Sequence, residues 1–91
     1  MREGRQRLDK WLWFARFART RTLAARLVDD GYVRVNGARC DNPAKALGLG
    51  DVITVAAAHA TMAVRVADLG TRRGPAEEAR GLYEPISGEP G

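Results

Sequence analysis

The first third of the chain carries apolar residues at a helical period. Leu8, Trp11, Leu12 and Ala15 recur at i, i+3, i+4, i+7 and predict the buried face of a helix starting near Leu8. Lys10, Trp13, Phe14 and Phe17 repeat that spacing on roughly the opposite side, so the helix has a second, largely apolar face. That face must be covered by the chain or offered to a partner. Asp9 is expected as its N-cap or first-turn acid. Thr20 is expected to cap a second helix, in which Leu23, Leu27 and Asp30 share one side with Ala24 and Val28 beside them. The small Ala24 and Ala25 permit close approach of the two helices, and Gly31 supplies the positive-φ stop.

The period then drops from 3.6 to 2. Residues 32–35 predict a strand with Val33 and Val35 inward, and Asn36-Gly37 predicts a two-residue hairpin turn. Residues 38–40 form the return strand, which Asp41-Asn42-Pro43 ends. Further strands are expected over residues 52–57 and 62–67, joined by a turn at 58–61. A short helix is expected from Pro75 to about Tyr83, opened by Glu77 and Glu78 in its first turn. Residues 1–6 read as a basic arm and residues 85–91 as a frayed tail. The predicted class is α+β: two packed N-terminal helices on a small, mostly antiparallel sheet, with a short C-terminal helix.

Length and charge narrow the function. Ninety-one residues with 45% hydrophobic content make one small domain. The formal net charge is +4 and the isoelectric point about 10.0, which favours a polyanionic partner: nucleic acid first, an anionic membrane surface second. The charge is uneven. Residues 1–45 hold eleven Lys/Arg against five Asp/Glu; residues 46–91 hold four against six. The single cysteine, Cys40, permits no disulfide within the chain. The polar, charged opening lacks a signal peptide's apolar run, and no stretch is long enough to span a membrane, so a cytoplasmic location is expected.

Catalysis finds little support. His59 is the only histidine and sits in an Ala-rich turn; Cys40 has no histidine near it and reads as a small strand residue. No Cys/His cluster has metal-ligand spacing, and no Gly-rich phosphate loop opens a helix. No cofactor is expected. Basic residues give the stronger signal. Arg16, Arg19, Arg21 and Arg26 cluster about the helix junction, with Arg7 and Lys10 at the start of the first helix. Thr20 and the unpaired N–H groups opening the second helix add neutral phosphate donors. Arg34 and Arg39 flank the hairpin turn and extend the patch. The bland alternative is a solvated helix face, but such a face would carry acidic i,i+4 partners, and residues 1–28 hold eight basic residues against Glu3 and Asp9. Trp13 and Phe17 stack on unpaired bases in one reading; in the other, Leu82 and Tyr83 cover them.

These motifs together resemble the S4 RNA-binding domain: Arg7-Leu8-Asp9-Lys10-x-Leu12, then Thr20-Arg21, Ala24, Arg26-Leu27, Gly31-x-Val33-x-Val35-Asn36-Gly37, Pro43, and Gly50-Asp51-x-Ile53-x-Val55. The match covers about residues 7–56. Together with the segment TRRGPAEEARGLYE, the run RLDKWLWFARFARTR is similar to the stand-alone S4 proteins of the heat shock protein 15 group. That resemblance spans about residues 7–84. It implies the S4-like (alpha-L) fold and no enzymatic activity. Its implied partner is ribosomal RNA: free large ribosomal subunits carrying a stalled nascent chain, with peptidyl-tRNA as a further contact. It puts Arg7, Lys10, Arg16, Arg19, Thr20, Arg21, Arg26 and Asn36 on or beside the RNA surface, with Asn36 equally open to a purely turn-building role. The implied layout is a basic arm at 1–6, an S4-type RNA-binding unit at 7–67, and a C-terminal helix and tail at 68–91, in a monomer. Group members commonly carry a longer, basic C-terminal extension, whereas Glu84 and Glu89 sit near the end here.

The alternative within RNA binding is an S4 protein acting on other structured RNA, such as rRNA during assembly; a different class is a targeting module working with an RNA-modifying enzyme, against which the lack of a catalytic domain in this chain counts. A membrane-surface role for the first helix is the third, and it requires Trp11 and Leu12 to leave the core.

Overall fold

The computed structural model describes residues 4–56 and 61–86. Strand β1 (Gln6–Arg7) runs straight into helix α1 (Leu8–Phe14), and helix α2 (Arg21–Asp29) follows. Strands β2 (Val33–Val35), β3 (Ala38–Arg39), β4 (Ala46–Leu47), β5 (Val52–Ala56) and β6 (Thr61–Val66) come next. Helix α3 (Ala76–Ala79), a 3-10 turn at Arg80–Leu82 and strand β7 (Tyr83–Pro85) close the chain. The main sheet is antiparallel throughout, in the order β3-β2-β5-β6-β7, and β1 pairs separately with β4. The α+β class follows. His59 and most of the expected 58–61 turn lie outside the described residues.

Alternation along the strands builds the core. Val33, Val35, Ile53, Val55, Val64 and Val66 point to one side of the sheet and are buried together with Leu8, Trp11 and Leu12 of α1. Trp11 is wholly buried, and its indole N–H donates to the Asp68 carbonyl at 3.0 Å, so its one polar atom costs nothing inside. A membrane-surface role is thereby disfavoured, because Trp11 and Leu12 form the centre of the core. Ala24 and Val28 turn the inner face of α2 onto α1, as the small residues predicted. The Leu23 side of α2 is left outside, with Leu23 45% exposed.

Helix α1 is shorter than its apolar period suggests. It ends at Phe14 because Arg16 adopts a left-handed φ of 67°. The Arg16 N–H then donates to the Trp13 carbonyl at 3.1 Å and the Phe17 N–H to the Leu12 carbonyl at 2.9 Å. This is the double bond of a Schellman stop, made with arginine where glycine is usual. Helix α2 ends the same way, with Gly31 at φ 84°, and Thr20 caps its start by accepting from the Leu23 N–H at 3.1 Å. At the start of α1 no side chain caps. The Lys45 and Pro43 carbonyls accept from the Leu8 and Asp9 N–H groups at 2.9 and 3.0 Å, and Asp9 is a first-turn acid rather than the cap.

The C-terminal segment departs from expectation. The helix ends at Ala79, and Tyr83–Pro85 forms an edge strand on β6, with Val66 opposite Tyr83 and Val64 opposite Pro85. The physical reason is the open edge of β6: pairing there satisfies backbone groups and seats Leu82 in the core, while Pro85 is tolerated because it lies on the outermost strand. The expected division after residue 67 therefore falls between two paired strands of one sheet. The N-terminal arm likewise gives its last residue, Gln6, to the β1–β4 pair.

Candidate nucleic-acid interface

The structure divides nine of the ten sequence-predicted residues into three sets, while the tenth, Thr20, caps α2 with its hydroxyl. The first gathers around Asp9. Its carboxylate is buried, and Arg7 grips it with two bonds, Nε to Oδ1 at 3.0 Å and a terminal nitrogen to Oδ2 at 3.1 Å. The Arg21 Nε stands 3.9 Å from Oδ2. One carboxylate thus draws together two guanidinium groups from different elements, and both arginine side chains stay about half exposed. The hydrogen bond to Asp9, with the attraction of its charge, pushes the Arg7 pKa above its ordinary value. Two forks held by a buried anchor are pre-organised for phosphate, because little side-chain freedom is left to lose on binding.

The second set lies along α2. Arg19 and Arg26 are exposed, make no ion pair among the described residues, and line an open groove together with Phe17, Leu23, Leu27 and Asp30. From the helical repeat, Arg21 points to a different side of α2 than Leu23 and Arg26 do. The two clusters therefore flank the first turn of α2 rather than merging. That turn holds no acidic residue. Arg19 and Arg21 sit at the positive end of the helix dipole and Asp29 and Asp30 at the negative end, each the wrong sign for helix stability by about 0.3–1 kcal/mol for an exposed group. Only Arg26, in the last turn, has the stabilising sign. Cations that oppose a dipole are placed for something other than the helix.

The third set is not part of this surface. Arg34 lies on the sheet face opposite the one packed on the helices, across from Arg39 on β3. The Arg39 guanidinium lies over Gly31, so closely that a Cβ there would sit 2.6 Å from it. Arg34 does not extend the helix-pair patch, because alternation along β2 turns it outward between buried Val33 and Val35, whereas the Arg39 guanidinium reaches the C-terminal end of α2 at Gly31. Asn36 is spent on the fold: at φ 54° it shapes the hairpin, its Oδ1 accepts from the Val52 N–H at 2.9 Å, and its Nδ2 donates to Asp51 at 3.3 Å. The turn-building role is the one the geometry supports. Lys10 is half-buried with its ammonium 5.6 Å above the Phe14 ring, at the edge of the patch. Arg16 is exposed but turned toward the C-terminal segment, its Nε donating to the Gly74 carbonyl at 2.9 Å.

Two residues escaped the sequence reading. Asp9 was legible only as a helix acid; its isolation among eight basic residues was the signal that it anchors two of them, Arg7 and Arg21. Arg73 donates to the Trp13 carbonyl at 3.1 Å and reaches the Ala18 carbonyl at 3.5 Å, with its guanidinium 5.7 Å from the Trp13 ring centre. Together with Arg16 it ties the α1–α2 loop to the C-terminal segment. Nothing local in Thr71-Arg72-Arg73 separates this arginine from its neighbour, which pairs with Glu78 at 2.6 Å. Arg73→Ala is expected to speed amide exchange across residues 15–20 by about tenfold, because the Ala18 carbonyl and the last turn of α1 lose their tie to the C-terminal segment. Hydrogen–deuterium exchange with mass spectrometry checks this. Phe17 is covered by Tyr83 at 5.1 Å and Trp11 at 6.0 Å, while Trp13 is half-buried against Phe14. Cys40 is buried on the return strand's flank, in keeping with a packing role.

Comparison with known proteins decides the family. The S4 domain model matches residues 6–53. Heat shock protein 15 of Escherichia coli K12 is 42% identical over 78 residues, which cover 86% of this chain and 58% of that protein. The Aeromonas salmonicida homologue is 44% identical over the same shares. A solved structure of Vibrio cholerae heat shock protein 15, described as trimeric, superposes with a TM-score of 0.86 at 38% identity, covering 92% of this chain and 84% of that one. This chain belongs to the S4-domain family, in its heat shock protein 15 branch. It spans 58% of the length of those curated E. coli and A. salmonicida relatives. Membership supports RNA binding and places the two arginine clusters within the matched S4 segment. The contribution of Arg73 lies beyond that segment, in the part shared with heat shock protein 15. No helix among the described residues is long and apolar enough to cross a membrane.

Proposed function

We propose that this chain binds ribosomal RNA without chemistry of its own, and that its target is the free large ribosomal subunit holding a stalled nascent chain on tRNA. The observation that carries the reading is the wrong-signed start of α2: Arg21 in a first turn without an acid and Arg19 just ahead of the Thr20 cap, on a helix whose N–H groups already favour an anion. Arg7 and Arg21 grip phosphate beside Asp9, Arg19 and Arg26 hold a second stretch of backbone, and the exposed N–H groups of Arg21 and Thr22 lie at the start of the same turn. Recognition is chiefly of backbone shape and charge, as suits folded rRNA. Both clusters come from one chain, so a single copy carries the whole phosphate-binding surface. The choice of the large subunit and of peptidyl-tRNA rests on likeness to heat shock protein 15 rather than on any contact in the fold.

Co-sedimentation tests it. The chain is expected to pellet with free large subunits and to favour those holding peptidyl-tRNA over empty ones. Equal pelleting with small subunits would leave only a general RNA binder, and none with large would overturn the ribosomal reading.

A further inference from the structure

The groove on the outer side of α2 has a composition that phosphate gripping does not require. Its floor is apolar: Phe17, Leu23 and Leu27. Leu23 is 45% exposed, although its neighbours Ala24 and Val28 are fully buried and the chain has no lack of core positions. Phe17 is held from behind by Trp11 and Tyr83, at 6.0 and 5.1 Å between ring centres, so the floor is rigid. Arg19 and Arg26 stand on the rim, and Asp30 closes the end toward the helix C-terminus. Its volume is about 750 Å³, within the ~300–1,000 Å³ typical of sites for small-molecule-sized groups.

We propose that this groove takes one unpaired nucleobase of the bound RNA, with guanine preferred. The inference rests on the RNA-binding reading above and names the element of RNA that the α2 surface selects. The charge pattern chooses the occupant. Two arginines on the rim fit the phosphates on either side of an extruded nucleotide, while an apolar floor between them suits the face of a base and repels a phosphate. Asp30 makes no ion pair among the described residues and sits where it opposes the helix dipole. Its carboxylate has two acceptor oxygens. The Watson–Crick edge of guanine presents N1–H and N2–H as two adjacent donors, which a carboxylate accepts side by side; adenine and uracil present no such pair. A regular duplex keeps its bases stacked and leaves the groove unfilled.

The test uses the whole chain and RNA hairpins identical except for one bulged nucleotide: G, A, inosine or none. The G-bulged hairpin is expected to bind about tenfold tighter than the fully paired one, the lower range for stacking a single base. The A bulge should gain less, and inosine, which lacks the N2 amino group, should fall between. Asp30→Asn is expected to bring the G bulge down to the A bulge. Leu23→Gln, at an exposed position on the groove floor, should bring the bulged hairpins down to the affinity of the paired one. Equal wild-type affinity for bulged and paired hairpins overturns the groove assignment while the RNA-binding reading stands. Failure to bind any hairpin at low salt overturns both. Self-association that Leu23→Gln abolishes in the absence of RNA gives the groove to a second copy of the chain and also overturns it.

Discussion

Changing Arg19 and Arg26 together to glutamate is expected to weaken binding to large-subunit rRNA by on the order of 100-fold, with folded stability changed by less than about 1 kcal/mol because the helix-dipole effects of the two reversals oppose one another. Both side chains are exposed and make no ion pair among the described residues, so their replacement removes no internal bond. Each reversal removes a phosphate partner and sets a carboxylate against the RNA backbone. The milder pair Arg19→Gln with Arg26→Gln should lower the slope of log K against log salt by roughly 2, about one unit for each lost phosphate contact. Arg16 and Arg21 are poorer probes. Arg16 holds the Gly74 carbonyl and Arg21 faces buried Asp9, so reversing them mixes binding with folding. Filter binding alongside urea denaturation separates the two effects.

Asp9→Ala carries the second large effect, and its sign is diagnostic. The substitution raises net charge by one, so an account based on charge alone expects tighter RNA binding. The structure predicts the reverse. Without the carboxylate, Arg7 and Arg21 lose their common anchor, repel one another and regain side-chain freedom that binding must then remove, about 0.5–1.5 kcal/mol for each. Affinity is expected to fall roughly tenfold at constant salt. Stability should fall by about 1–2 kcal/mol, less than for a fully buried pair because both arginines are half exposed. Fluorescence-monitored denaturation and RNA titration of the same preparation measure both. Tighter binding by Asp9→Ala would show that the two arginines act only through their charge.

Much of the fold was legible because local chemistry and burial agreed. Leu8, Trp11 and Leu12 are wholly buried where the period put them, Thr20 caps α2 by its hydroxyl, and Asn36-Gly37 makes the hairpin. The two motifs Val35-Asn36-Gly37 and Gly50-Asp51 meet in space through the Asn36 side chain, which explains why a turn residue seemed to belong with the binding set. Other features left no local trace. The stop at Arg16 uses a left-handed arginine, and nothing in its side chain announces that conformation. Strands β1 and β4 have two residues each, too few for a period to show. Strand β7 exists because β6 offers an edge, a fact of topology rather than of residues 83–85.

The site was legible in kind but not in division. Composition and spacing marked the arginines of residues 7–26 together. Folding separated them into a pair on Asp9, a pair on the α2 groove, and Arg16 facing the C-terminal segment. Arg34 was lost from the surface through strand alternation, which a count of nearby arginines cannot see. The helical period puts Leu23, Leu27 and Asp30 on one side of α2 but does not say which side turns inward; burial of Ala24 and Val28 decides that and leaves an apolar groove beside two cations.

The salt dependence of wild-type binding to large-subunit rRNA tests the central claim most directly. Four phosphate-gripping arginines, Arg7, Arg19, Arg21 and Arg26, predict a slope of log K against log salt of roughly −3 to −4. No association at low salt, or a slope near zero, would contradict the assignment of the α2 surface to RNA.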